Sequence, residues 1–189
     1  MHKLLTGGAT VAVAISLSVL GATASAVPLE LPPTGSAQSS APTAETISAA
    51  FPHLLPANRE GEVGYRNATC WETDRGYIPS PNDGDPEFGN WVWQWRCYSG
   101  GANQADPFYR IYAYQSAAGV ESVIASLPPV TVSTDLNHGR TYTNYKYTDN
   151  GNKILTVFLG DPQRSRFLMF TDGYGTPEEV LDWWRSAPL

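Results

Sequence analysis

Along Trp91-Val92-Trp93-Gln94-Trp95-Arg96-Cys97-Tyr98 the odd positions are Trp, Trp, Trp and Cys, while Gln and Arg stand at even ones. That is the period-two alternation of a half-buried strand, and it turns Cys97 the same way as the tryptophans. In Ala68-Thr69-Cys70-Trp71-Glu72 the same reading puts Cys70 with Ala68 and Glu72, and Trp71 on the opposite face. Phe108 to Tyr114 predicts a third strand, with Tyr112 and Tyr114 on one face and Tyr109 and Ile111 on the other. The period then changes. Val120, Val123, Ile124 and Leu127 fall at i, i+3, i+4 and i+7, predicting a helix over 117–127 opened by Ser116 and stopped by Pro128 and Pro129.

Strands return at 142–148 and 153–159, joined by Asp149-Asn150-Gly151-Asn152, a strong hairpin signal. Gly160-Asp161-Pro162 turns the chain into 166–171, where Phe167, Leu168, Met169 and Phe170 are apolar on both sides, as in a strand inside a sheet. Thr176-Pro177-Glu178-Glu179 reads as a capping box opening a last helix, with Val180, Leu181 and Trp184 as its apolar face. Upstream, Thr43 caps a short helix through Ile47, Ala50 and Phe51 that Pro52 must end. The pattern predicts an α+β fold: a single domain with an antiparallel sheet of about six strands and helices on a face. The repeated order strand, strand, strand, helix further suggests an internal βββα duplication.

Composition sets the frame for these elements. Residues 1–26 carry His2 and Lys3, an apolar run from Ala9 to Leu20 and Ala24-Ser25-Ala26, the three parts of a secretory signal cleaved after Ala26. Residues 27–42 are rich in Pro, Ser, Thr and Gly and read as a disordered linker, which leaves 43–189 as the globular domain. Export makes a Cys70–Cys97 disulfide the expected state of the chain's two cysteines. Loss of the leader leaves 11 basic residues against 18 acidic ones, a net charge near −7. That balance disfavours nucleic acid and anionic membrane surfaces, both of which call for basic patches. No stable membrane anchor is expected after cleavage, and the product is expected outside the cell or loosely held at the wall.

Candidate chemistry is sparse. Beyond the leader the only histidines are His53 and His138, neither in a nucleophile motif, and no G-x-S-x-G occurs. No His or Cys pair has metal-ligand spacing, and no cofactor fingerprint is present. The carboxylates of Glu72, Asp74, Asp83, Asp85 and Glu87 raise two ideas, calcium and glycosidase chemistry. The spacing fails the helix-loop-helix calcium pattern, and an ordinary solvated turn is the better account of an acidic loop. Asn67-Ala68-Thr69 fits the N-glycosylation pattern but adjoins a predicted buried strand. More suggestive are Tyr109, Tyr112, Tyr114, Tyr142, Tyr145 and Tyr147, all on or beside predicted strands. Exposed, they would form stacking surfaces for sugar rings or peptides; packed under helices, they would be core.

Phe51-Pro52-His53-Leu54-Leu55-Pro56, Ala68-Thr69-Cys70 and Leu181-Asp182-Trp183-Trp184-Arg185 together resemble small exported domains of actinobacterial cell-envelope proteins. Some similar domains form the outer portion of membrane serine/threonine kinases. The resemblance spans about residues 45 to 189 and implies no catalytic residues. This chain has no kinase domain, so the expectation is a free-standing, non-enzymatic extracellular binding domain for an envelope glycan, a peptide or another protein. An envelope-polymer hydrolase using the acidic loop, and a purely structural role, are the alternatives.

Overall fold

The computed structural model describes residues 40–59, 62–74, 86–98, 106–148 and 151–189. The expected signal segment, most of the linker, Asp83 and Asp85 lie outside the described residues. Seven strands form one antiparallel sheet, one more than the pattern predicts. They are β1 (Thr69–Asp74), β2 (Trp93–Tyr98), β3 (Phe108–Ala113), β4 (Thr131–Asn137), β5 (Arg140–Tyr147), β6 (Asn152–Val157) and β7 (Phe167–Gly173). Their order across the sheet is β1-β2-β3-β7-β6-β5-β4. Two meanders therefore meet where β3 pairs with β7, Ile111 opposite Met169.

Helices cover both faces. On the first, α1 (Ala44–Ala50) and α3 (Pro177–Ser186) close over Trp95, Tyr109, Ile111, Tyr142, Ile154, Phe167 and Met169. On the second, α2 (Ala117–Ser126) and the segment carrying Phe88 and Trp91 cover Tyr112, Tyr114, Leu155, Leu168 and Phe170. β7, apolar on both sides, is buried from Phe167 to Thr171 at the middle of the sheet. The βββα order does recur as β1–β3 with α2 and β5–β7 with α3. A twofold axis relating antiparallel β3 and β7 must run through the sheet and would leave both helices on one face. They take opposite faces, so the repeat is one of element order and not of symmetric structure.

Capping follows the sequence at two of three helices. Thr43 and Thr176 each form a capping box, with Thr46 and Glu179 at the third helical position. Ser116 stands at the N-cap of α2 but makes no side-chain cap bond. Trp91 also departs from expectation. β2 starts at Trp93, and Trp91, two residues before it, packs edge-on against Tyr112 on the second face while Trp93 and Trp95 join the first.

The disulfide forms between directly opposed residues, Cys70 and Cys97, and is buried. Beside it the chain makes a tight approach: Gly64 lies against Cys70 and Tyr109, and the Tyr109 hydroxyl donates to Leu54 O at 2.8 Å while accepting from Tyr65 N–H at 3.0 Å. Trp95 Nε1 donates to Ala44 O at 3.1 Å, fixing α1 to the same layer.

β4 escapes the hydrophobic pattern because its polarity is inverted. Ser133, Asp135 and Asn137 face the α3 layer, and Val132 and Leu136, on the other side, are 56% and 59% exposed. Hydrogen bonds hold the inward side chains. Asn137 Nδ2 donates to the carbonyls of Trp184 and Ala187. Asp135 accepts from Ser133 at 2.6 Å and Asn144 at 3.0 Å and pairs with Lys146 at 2.9 Å. The chain of bonds continues through Thr156, which donates to Asn144 at 2.7 Å, to the Trp184 indole, which donates to Thr156 at 2.8 Å.

A candidate ligand-binding groove on the second face

The six tyrosines do not form a shared exposed platform. Tyr109, Tyr112, Tyr114 and Tyr142 are all buried, so of the two readings open for them it is the packed one that holds, and they offer no stacking surface. The reason is their position on β3 and β5, under α3 and α1 on one side and α2 on the other. Burial also pushes the Tyr109 and Tyr114 hydroxyls well above the usual phenol range. Tyr145 and Tyr147 are half-buried against the α2 cluster, and burial pushes Tyr147 up to about 12.

Exposed aromatic surface gathers elsewhere, at the β1–β2–β3–β7 end of the second face. A groove of about 210 Å³ is lined there by Trp71, Arg96, Cys97, Tyr98, Phe108, Arg110, Asp172 and Tyr174. Trp71, Tyr98 and Tyr174 are 41%, 52% and 85% exposed. The period-two alternation places them: Trp71 and Arg96 are cross-strand neighbours, as are Arg96 and Arg110, Arg110 and Phe170, and Phe108 and Asp172. Two rows result. In one, the Arg96 guanidinium lies 5.5 Å from the Trp71 ring and that of Arg110 lies 6.0 Å from Phe170. In the other, Tyr98 and Phe108 rings stand 4.0 Å apart and Phe108 meets Tyr174 edge-on at 6.1 Å.

Such a surface offers flat ring faces beside two planar cations. Guanidinium groups already stacked on aromatics have little freedom left to lose when they meet a carboxylate or phosphate. The sequence signal for it was present in the alternation, since Trp71 reads as facing away from Cys70. What the alternation lacked was the pairing of strands, which alone puts Arg96 and Arg110 next to each other and Tyr174 over Phe108.

Among the described residues the candidate carboxylates do not converge, whereas the two histidines share one hollow. Glu87 is exposed, and Glu72 is ion-paired with Arg59. His53 and His138 both have positive φ, 66° and 45°, and both line a second hollow of about 480 Å³ with Arg140, Asp161 and Arg164. Arg164 there is a packing residue. It is buried, pairs with Asp161 at 2.7 Å, donates to the Tyr142 hydroxyl at 2.9 Å and stacks on Phe51, Tyr142 and Phe158. No group of three or more His, Cys, Asp or Glu side chains gathers as metal ligands among the described residues, and none of their helices is long and apolar enough to cross a membrane. Comparison with protein-family models, with curated proteins and with solved structures finds no match for this chain.

Proposed function

We propose that this protein is an exported, non-enzymatic binding domain that takes an anionic, ring-bearing ligand, an acidic glycan of the bacterial cell envelope, in the groove of the second face. The observation that carries the reading is the row of exposed aromatics, Trp71, Tyr98 and Tyr174, set against the adjacent Arg96 and Arg110. Sugar rings stack on aromatic faces, and uronate or phosphate groups accept paired hydrogen bonds from guanidinium. The described residues bring no paired carboxylates or nucleophile–base couple into that groove, whose one carboxylate is Asp172.

The test is retention of the purified protein on bacterial cell wall, intact and stripped of its anionic polymers. Retention on intact wall, reduced at least about tenfold by Arg96→Gln with Arg110→Gln and similarly by Trp71→Ala, supports the reading; each lost charge-assisted bond is worth about 1.5–3 kcal/mol. Retention no better than that of an unrelated acidic protein, or unchanged by these substitutions, overturns it.

A further inference from the structure

The two edges of the sheet differ. At β1 the chain doubles back: Val63 bridges to Thr69, and Cys70 N–H donates to Glu62 O at 2.7 Å. At β4 no strand among the described residues pairs with the outer side, and the strand runs seven residues in unbroken register with β5, without a bulge. Exposed edges are normally blunted by lysine or another charge, by proline or by a bulge. β4, Thr131-Val132-Ser133-Thr134-Asp135-Leu136-Asn137, has no lysine, proline or bulge, and its one charge, Asp135, is turned inward and already held by Ser133, Asn144 and Lys146.

From this edge we infer that two copies of the chain pair through β4, antiparallel about a twofold axis at Thr134, to make one continuous sheet. Two independent features select that occupant and register. First, Val132 and Leu136 lie two residues either side of Thr134 on the same face and are both exposed. Pairing centred on Thr134 sets each Val132 against the partner's Leu136 and each Ser133 against the partner's Asp135, so apolar meets apolar and no like charges are opposed.

Second, the backbone groups point the right way. β4 and β5 are joined by a two-residue turn, His138-Gly139, both with positive φ, 45° and 82°. Such a turn closes on a hydrogen-bonded pair, here Asn137 and Arg140. Counting back, Asn137, Asp135, Ser133 and Thr131 bond toward β5, which turns the N–H and C=O of Leu136, Thr134 and Val132 outward. Those are the three residues that the twofold register pairs, giving about six backbone hydrogen bonds across the axis. The edge is also held rigid in advance by the bonds of Asp135 and Asn137 to β5 and α3, so little ordering is left to lose on association.

This inference stands apart from the groove, which lies at the far end of the sheet. It is tested by cysteine substitution under mild oxidation and by sedimentation of the purified protein. In the proposed register Thr134 meets its own copy at a Cα separation of about 5.5 Å, within disulfide reach, whereas Val132 lies roughly 14 Å from its copy. Thr134→Cys is expected to cross-link with itself; Val132→Cys and Leu136→Cys are each expected to do so at least about tenfold more slowly, yet to cross-link when mixed. Wild-type protein is expected to sediment as a concentration-dependent dimer, and Val132→Lys with Leu136→Lys as a monomer with unchanged near-ultraviolet circular dichroism. A wild-type monomer up to about 1 mM, a dimer indifferent to both lysines, equal cross-linking at all three positions, or pairing of β4 with a different chain in place of self-association would each overturn it.

Discussion

Gly64 has room for a hydrogen and nothing more. A Cβ built there would stand 2.5 Å from both Cys70 Sγ and the Tyr109 hydroxyl and 2.9 Å from Leu54 O. Its φ of −100° is open to any residue, so space and not backbone freedom demands glycine. The Tyr109 hydroxyl cannot retreat without giving up its bonds to Leu54 and Tyr65. Gly64→Ala should therefore cost about 1–3 kcal/mol by overpacking, read as a lowered melting temperature with the disulfide still formed. Tyr109 shows the limit of sequence reading at this scale. Its place on β3 and its face were legible from alternation, but that its hydroxyl anchors a loop 55 positions earlier was not, because no local pattern encodes a partner so distant.

Among elements, the strands whose inward residues are apolar were legible and the one whose inward residues are polar was not. β7 announces itself with Phe167-Leu168-Met169-Phe170; β4 turns Ser133, Asp135 and Asn137 inward and shows Val132 and Leu136 to solvent, so alternation gives the wrong inside and a loop is the natural reading. Packing decides instead, through Asn137 bonded to the last turn of α3. The β1–β2 pair was legible because two cysteines mark it. Their bridge closes a loop with a sequence separation of 27, for which chain-entropy arguments give about 3–4 kcal/mol. Cys70→Ser with Cys97→Ser should lower the stability measured by urea titration by about that much. A change below about 1 kcal/mol would mean that Trp95, Tyr109 and α1 hold these strands without it.

For the molecule as a whole, the fold class followed from counting periods, but the layering did not. Which face each helix covers depends on the path of the chain after β3 and after β7, and these put α2 opposite α3. The groove is a product of the same assembly, since four strands and the Tyr174 turn contribute to it. Global stability should also respond to acid. Although burial raises them, hydrogen bonds from Ser133, Lys146 and Asn144 hold the Asp135 carboxyl below its ordinary range, and those from Arg164 and Gln163 do so for Asp161. Carboxyls depressed in the folded state stabilise it above the unfolded value, about 3.9, and that contribution is lost as pH falls through the folded-state values. The urea midpoint should accordingly fall below about pH 4, and Asp135→Asn should start lower at pH 7 and lose less on acidification. Equal acid slopes in the two proteins would remove Asp135 from that role.

The unlike margins of the sheet bear on how far assembly can go. With the β1 side occupied at its start by the returning segment at Glu62 and Val63, β4 is the one long open rim among the described residues. Joining two such rims, as proposed, would leave neither available, so growth would terminate at a pair and not run on into filaments, the outcome that two open rims on one flat sheet would invite.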